Sequence, residues 1–424
     1  MRHTKMPIGQ PIGLPALLRK LNTTDVLRTI RADGPVSRTR LAKTTGLSQP
    51  TVNQIATGLI RAGLVLEESS ETLGQPARRG RPGSLLSFHA GAGHVLGIDI
   101  NAEMIVVMVA DLDGAILARE SRAAGSHDQL QPKPLLKTIR TATAAALSSA
   151  GVDRRSLMAV GVGVPGSVDP KSGAVKLVPA LPDWEGFVLA KELDKGLACP
   201  VLVNNDMHLA ILAERRFGAA RDIENAVYLH IGVGIGLGIL IGGAVYTGAD
   251  GDAGEIAYLP VADEDRAPKS GFGAFEWAAG SLAIARMGRQ VAALAEEGRL
   301  IRELAGGDPD RIDARLLCEA ANLGDCAALN ILDKVVDRLC EGIAAVNCIL
   351  NPGIFILGGE MVKTGGLILG RLRDRLAELR PRPVTGVTVS TLGDDGVALG
   401  AVQLALHFVD ERHFGAPHTI RANL

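Results

Sequence analysis

The sequence predicts an α/β protein in two parts: a small helical DNA-binding module, then a larger body of two similar lobes. Three observations carry this. Residues 1–90 hold 13 Lys and Arg against 5 Asp and Glu, whereas the rest of the chain holds 32 against 41. A basic module on an acidic body is the charge layout of a nucleic-acid binder fused to something else. Three short helical patterns separated by turn residues fill that basic segment. Beyond it, a strand, a Gly-rich turn and a second strand occur twice, each time followed by helix, which implies two lobes with a cleft between them.

At 424 residues, 47% hydrophobic and 21% charged, the chain is long enough for two or three full-sized cores and has an ordinary globular composition. Five cysteines, Cys199, Cys318, Cys326, Cys340 and Cys348, never fall at CxxC spacing, which argues against a disulfide framework and a thiolate metal site. Pro7, Pro11 and Pro15 interrupt any continuous apolar leader, so a cytoplasmic protein is expected. The apolar run after His230 is too rich in glycine for a membrane span, and no membrane partner is expected.

In the basic module, Thr24 precedes VLRTIRA, a short amphipathic helix stopping at Asp33-Gly34-Pro35. Ser37, with Arg38 beside it, caps a second helix that ends at Gly46. Ser48 opens a third, with Pro50 in its first turn, where a missing N–H costs nothing. Helices joined by such a turn form a helix-turn-helix, whose last helix enters the major groove by its N-terminal residues. Ser48, Gln49, Thr51, Asn53 and Gln54 are the polar set there, able to bond base edges and phosphates. Val52, Ile55, Leu59 and Ile60 face the core. LVLEE and SLLSFH read as two strands of a wing. The loop between them carries Arg78, Arg79 and Arg81; taken alone, such a loop is more often a solvated basic segment, but beside a helix-turn-helix it is expected to enter a narrow minor groove.

In the body, HVLGIDI and MIVVMVADLDG read as buried strands, a helix covers 134–150, and LMAVGVGVPGSVDP is a strand ending in a Val-Pro-Gly turn. A short strand then runs into a helix near Asp206. Glycines at 232, 234, 236 and 238 alternate with apolar residues, which suits strands whose backbone must come close to something, with N–H groups open to a phosphate or a sugar. Helices dominate 275–350, FILGGE is a further strand, and VTVS precedes the last helix.

Taken in order, the wing and helix-turn-helix, GVGVPGSVD at 161–169, NND at 204–206, IGVGIG at 231–236, AGEI at 253–256, GAFE at 273–276 and NPGIFILGGE at 351–360 resemble the ROK family of repressors and sugar kinases. The resemblance covers nearly everything from about 20 to 410. It implies a winged helix-turn-helix over 1–90 joined to a two-lobed, actin-like ATPase (ribonuclease H-like) sugar-kinase fold. Its first lobe would span 91–205 plus about 385–424, and its second 206–384. It also implies sugar bound between the lobes. Asp206 stands where the family's kinases keep a general base, Asn205 at the sugar-binding asparagine, and Glu255 and Glu276 at acceptors for sugar hydroxyls. Gly166 stands in the loop that closes on the sugar. The plainer alternatives are that Asp206 caps the following helix and that Glu276 is an exposed charge.

Two departures matter. Where the family's kinases carry a DxGGT-type phosphate turn, this chain reads Asp99-Ile100-Asn101-Ala102-Glu103, so bound ATP and kinase activity are not expected. The family's structural zinc uses a histidine after AGE and three cysteines. Here Tyr258, Ala267, Lys269 and Ala274 hold those places, so no metal or other cofactor is expected. Tyr258 offers a phenolic hydroxyl to the sugar instead. His208 and His230 are expected to be ordinary surface or core histidines. The reading that follows is a sugar-responsive transcriptional regulator, a repressor of carbohydrate genes, acting as a homodimer or dimer of dimers on an inverted-repeat operator. The alternatives are an ATP-dependent sugar kinase with an attached DNA-binding domain, or a DNA-binding scaffold with a ligand-free body.

Overall fold

The computed structural model describes residues 14–414 apart from 70–83, 126, 171, 177–180, 182, 262–271, 295, 364–365, 380–382 and 385. Its first helix, α1 (Leu14–Asp33), begins ten residues before Thr24, which is buried inside it rather than preceding it. The added turns are rich in Leu, Ala, Arg and Lys, all good helix formers, with Pro15 in the first turn where proline is tolerated. β1 (Val36–Ser37) leads into α2 (Arg38–Thr45), capped by the Ser37 hydroxyl, which accepts from Arg40 N at 3.2 Å. Gly46, at φ 70°, ends it. α3 (Gln49–Arg61) starts at Ser48, whose Oγ accepts from Thr51 N. The wing strands β2 (Val65–Ser69) and β3 (Ser84–Phe88) pair antiparallel, and β1 adds to the other side of β3 through Val36↔Leu86.

The body is built twice on one plan. β4 (His94–Ile100), β5 (Met104–Asp111), β6 (Ile116–Ala123), β7 (Leu157–Val164) and β8 (Val201–Asn205) form a sheet of order β6-β5-β4-β7-β8, with α4 (Pro132–Ala150) and α5 (Leu189–Leu197) in its connections. After α6 (Asp206–Phe217) comes the second set: β9 (Ala226–Ile231), β10 (Ile235–Ile241), β11 (Ala244–Val245), five helices, and β12 (Ile354–Gly358). The helices are α7 (Ala274–Ala279), α8 (Ser281–Ala292), α9 (Arg299–Leu304), α10 (Ala314–Asn322) and α11 (Cys326–Leu350). α12 (Glu360–Lys363) and α13 (Gly366–Glu378) lead to β13 (Val387–Val389), and α14 (Gly396–Val409) closes the fold. The second sheet has order β11-β10-β9-β12-β13, the same connectivity as the first, with two antiparallel pairings followed by two parallel ones. Because β13 belongs to it, the chain returns to the first sheet after Val389 rather than near 385.

Glycines decide how these layers meet. A Cβ at Gly97 or Gly161 would lie 2.3 Å from Ala398 O or 2.0 Å from Ala401 O, so α14 rests directly on the backbone of β4 and β7. A Cβ at Gly238 would lie 2.2 Å from Met207 O, and one at Gly236 2.9 Å from the Met207 side chain. What the alternating glycines of β10 approach is therefore helix α6, not a ligand. The two helices touch each other where Gly400 meets Leu209 O, with 1.9 Å left for a Cβ. α6 and α14 are thus the shared layer between the sheets.

The DNA module is not a separate bead. Its core residues Val26, Ile30, Leu41 and Leu86 form one hydrophobic cluster with Val95, Met108, Val402 and Val409 of the body. Arg31 of α1 closes this junction: it donates to both oxygens of Asp410 at 2.9 and 3.0 Å and to Leu112 O at 2.7 Å, and its guanidinium lies 4.2 Å from the Phe88 ring.

Candidate functional site: an acidic cleft and a helix face

The helix face comes from the first turn of α3. Val52, Ala56 and Leu59 are buried on one side, which turns Gln49, Asn53 and Gln54 to solvent on the other. Gln49 Nε2 donates to Thr39 Oγ1 at 3.1 Å, bridging the two helices, and Thr51 Oγ1 is 2.8 Å from Ser48 Oγ. Ser37 and Ser48 are caps first, since their hydroxyls hold helix N–H groups. Arg38 behaves differently from its neighbours. It forms a two-pronged ion pair with Glu67 of β2 and donates to Ser84 Oγ of β3, so it braces the wing against α2. That hydrogen bond holds the Glu67 carboxyl down to about 2. Arg78, Arg79 and Arg81 lie outside the described residues.

The acidic group is built from the ends of β4 and β8 and from segments that follow β11. Asn205, the last residue of β8, caps α6: its Oδ1 accepts from Met207 N at 2.8 Å and His208 N at 3.1 Å, while its Nδ2 donates to Gly166 O at 2.9 Å. The cap is thus Asn205, not Asp206, and the side-chain amide of Asn205 ties the Gly166 turn to the helix. Gly166 itself sits at φ 98°, a conformation open to glycine and strained for other residues. Asp206 is the first helical residue, its carboxyl turned back to accept from its own neighbour Met207 N at 2.8 Å. Burial, and then the charge of Asp99, push Asp206 up to about 8. Asp99 at the end of β4 is pushed up to about 7, again mainly by burial, with the charges of Asp394 and Asp395 adding to it.

Glu255 and Glu276 join this group from the second lobe. Glu276 is 8% exposed, so it is not a surface charge. It closes the N-terminus of α7, with Oε1 accepting from Gly273 N at 2.9 Å and Oε2 from Ile235 N at 3.4 Å. Glu255 is half-buried and, among the described residues, its carboxylate has no hydrogen-bond partner. Burial raises its pKa, and the charges of Asp252 and Glu276 raise it further. Tyr258 stands beside them with 43% of its surface exposed, its hydroxyl available. The structure therefore gathers Asp99, Asp206, Glu255 and Glu276 into one electrostatically coupled set.

Three more residues hold this region together, and two of them, Asn101 as a turn former and Lys176, were given no role by the sequence. Asn101 Oδ1 accepts from Glu103 N at 3.0 Å and Met104 N at 2.8 Å, so the turn after β4 consumes its own N–H groups. Asparagine in a strand–strand turn is a sequence signal for this. Lys176, from the loop after β7, crosses to the second lobe and donates to Asp250 O at 2.6 Å and Asp252 Oδ1 at 2.9 Å. His208 is buried and bonded at both ring nitrogens, a core histidine as expected. The Gly232–Gly234 turn joins β9 to β10 and packs on the start of α8, where Ser281 N donates to Gly232 O at 2.8 Å. Ala274 opens α7, while Ala267 and Lys269 lie outside the described residues.

Comparison with known proteins agrees with both halves. A profile described as winged helix-turn-helix DNA-binding matches residues 21–65, and one described as ROK family matches residues 95–407. A putative xylose repressor of Caldicellulosiruptor sp. (strain Rt8B.4) is 28% identical over 93% of this chain and 98% of its own. A glucokinase of Thermotoga maritima is 32% identical over 73% of this chain and 96% of its own. Among solved structures, a ROK family transcriptional regulator described as a homolog of the E. coli MLC protein superposes with a TM-score of 0.71 at 22% identity, covering 92% of this chain and 97% of that one. The repressor and the regulator span the DNA module as well as the body, and the kinase spans the body alone. With its duplicated sheets and matched profile, the chain belongs to the ROK family.

Proposed function

We propose that this protein is a sugar-responsive DNA-binding repressor in which α14 carries the state of the cleft to the winged helix. The observation that carries this reading is the course of α14. Its start follows Asp394 and Asp395, whose charges act on Asp99 in the cleft, and Asp395 is paired with Arg119 at 2.7 Å. Its end leads into Asp410, which grips Arg31 of the DNA module. A rigid element bonded at both ends is what a two-state switch needs, provided the sugar binds one state more tightly than the other. The repressor and regulator relatives support the same reading.

Glu255, Asp206 and the Tyr258 hydroxyl would meet sugar hydroxyls, and Gln49, Asn53 and Gln54 would meet base edges, with Arg79 and Arg81 in the minor groove. A two-fold dimer on an inverted repeat, in the cytoplasm, fits this role. Titration of operator DNA with and without a panel of monosaccharides tests it. Sugars that bind the protein yet leave DNA affinity unchanged would overturn the switch.

The second reading, a sugar kinase, is favoured by one observation: Asp206 is a buried carboxylate pushed towards neutrality, suited to taking a proton. Against it, the Asn101 turn spends on itself the N–H groups that would hold phosphate, and Glu103 adds negative charge. ATP turnover with a hexose, lost on Asp206→Asn, would reverse the choice.

A further inference from the structure

His208 is 2% exposed on the first turn of α6, two residues beyond Asp206. Its Nε2 lies 3.1 Å from Ala253 O, and its Nδ1 lies 3.1 Å from Asn204 Oδ1. A peptide carbonyl only accepts, so the Ala253 contact requires a proton on Nε2. Burial lowers the His208 pKa and so favours the neutral ring, which carries a single proton; Ala253 O claims it for Nε2, and Nδ1 is left facing the Asn204 side chain. Asn204 belongs to the strand that delivers Asn205 and Asp206. Ala253 belongs to the turn that delivers Glu255.

Just before that turn, Lys176 donates to Asp250 O at 2.6 Å and Asp252 Oδ1 at 2.9 Å. The backbone of the turn is held by Leu237 N to Gly254 O at 3.0 Å and Ala253 N to Thr247 O at 3.1 Å, and Gly254 at φ 100° presses on Leu237 O. The Glu255 side chain, two residues beyond the His208 contact, has no partner among the described residues. Its direction is set by the backbone beneath it, and His208 is the side chain that reaches that backbone from α6.

We infer that His208 is a positioning residue: by donating to Ala253 O it fixes the Glu255 turn to the head of α6, and so sets the spacing between the Glu255 and Asp206 carboxyls. The inference rests on the reading of those two carboxyls as sugar acceptors. Its role is geometric and touches no ligand.

Glutamine and asparagine separate the two contacts, since a glutamine amide nitrogen overlays Nε2 and an asparagine amide nitrogen overlays Nδ1. Hydrogen exchange of the full-length protein without ligand should show residues 253–258 exchanging at least tenfold faster in His208→Asn, and near the wild-type rate in His208→Gln, with the rest of the chain unchanged. Equal exchange in both variants overturns the positioning role. Calorimetric titration with D-xylose, D-glucose and N-acetylglucosamine, an aldopentose, an aldohexose and an acetamido sugar, follows. Any of these that binds the wild type should bind His208→Gln within about threefold and His208→Asn at least tenfold more weakly, operator affinity without sugar being the same in both. Binding of none of the three to the wild type overturns the sugar reading on which the inference rests. Equal sugar affinity in the two variants overturns the inference itself.

Discussion

Glu255 and Asp206 are both acidic and both raised in pKa, but their surroundings give them different consequences. Among the described residues the Glu255 carboxylate has no hydrogen-bond partner, so its removal leaves no described donor unsatisfied. Glu255→Ala is expected to abolish the change in operator affinity on adding sugar while leaving sugar-free DNA affinity within about twofold; anisotropy titration reads both. Asp206 is buried, and its pKa lies near 8 against an ordinary carboxyl near ~3.9. A group raised on folding contributes stability that is full below its unfolded pKa and lost as pH rises through the folded one. The protein should therefore melt lower at pH 9 than at pH 5, and Asp206→Asn should recover part of that loss, on the order of 5 °C at pH 9 and little at pH 5. A pH-independent effect of the substitution would remove Asp206 from the buried site. The chemistry at these residues was legible in NND and AGE. The division of labour was not, because the cap on α6 is Asn205 and the partner of Glu276 is backbone, and both depend on which atoms the fold brings within hydrogen-bond reach.

Among the elements, α6 and α14 do the joining, and both rely on missing side chains. Gly400→Ala puts a Cβ 1.9 Å from Leu209 O, backbone against backbone, so the helices must part. Urea unfolding should show a loss of about 3 kcal/mol, in the range of an overpacked core site. Gly370, inside α13 with nothing within 4 Å of its would-be Cβ, is the control. Gly370→Ala should stabilise by roughly 0.5–1 kcal/mol through helix propensity and reduced freedom of the unfolded chain. The period-two glycines of β10 were visible in the sequence as a demand for close approach. The thing approached was not, since Met207 and Gly238 lie 31 residues apart and meet only through the crossing of a helix over a sheet. The early start of α1 was missed for a related reason. Thr24 looks like a cap in isolation, and only packing places a threonine in a buried helix interior.

Across the whole molecule, the winged helix and the body share one hydrophobic cluster, sealed by Arg31 and Asp410. This pair is partly buried, one guanidinium nitrogen reaching both carboxylate oxygens, with a carbonyl and an aromatic face around the guanidinium, so it is worth more than an exposed ion pair. Asp410→Asn should leave the sugar dissociation constant unchanged and bring the ratio of DNA affinities with and without sugar closer to one. A ratio equal to that of the wild type would show that the signal bypasses this junction.

The sequence by itself determined the two-part plan, the solvent-facing polar turn of α3, the duplicated lobes and the identity of the acidic residues that come together. Those rest on local signals: caps, turn glycines, periodicity and charge, together with motifs in a recognisable order. Only the tertiary structure decided that β1 and β13 complete their sheets, that Arg38 braces the wing, that Asn101 closes its own turn, and that His208 and Lys176 hold the Glu255 loop from two sides. Each of those is a contact between segments distant in the chain, and its partner is chosen by packing that no local pattern encodes.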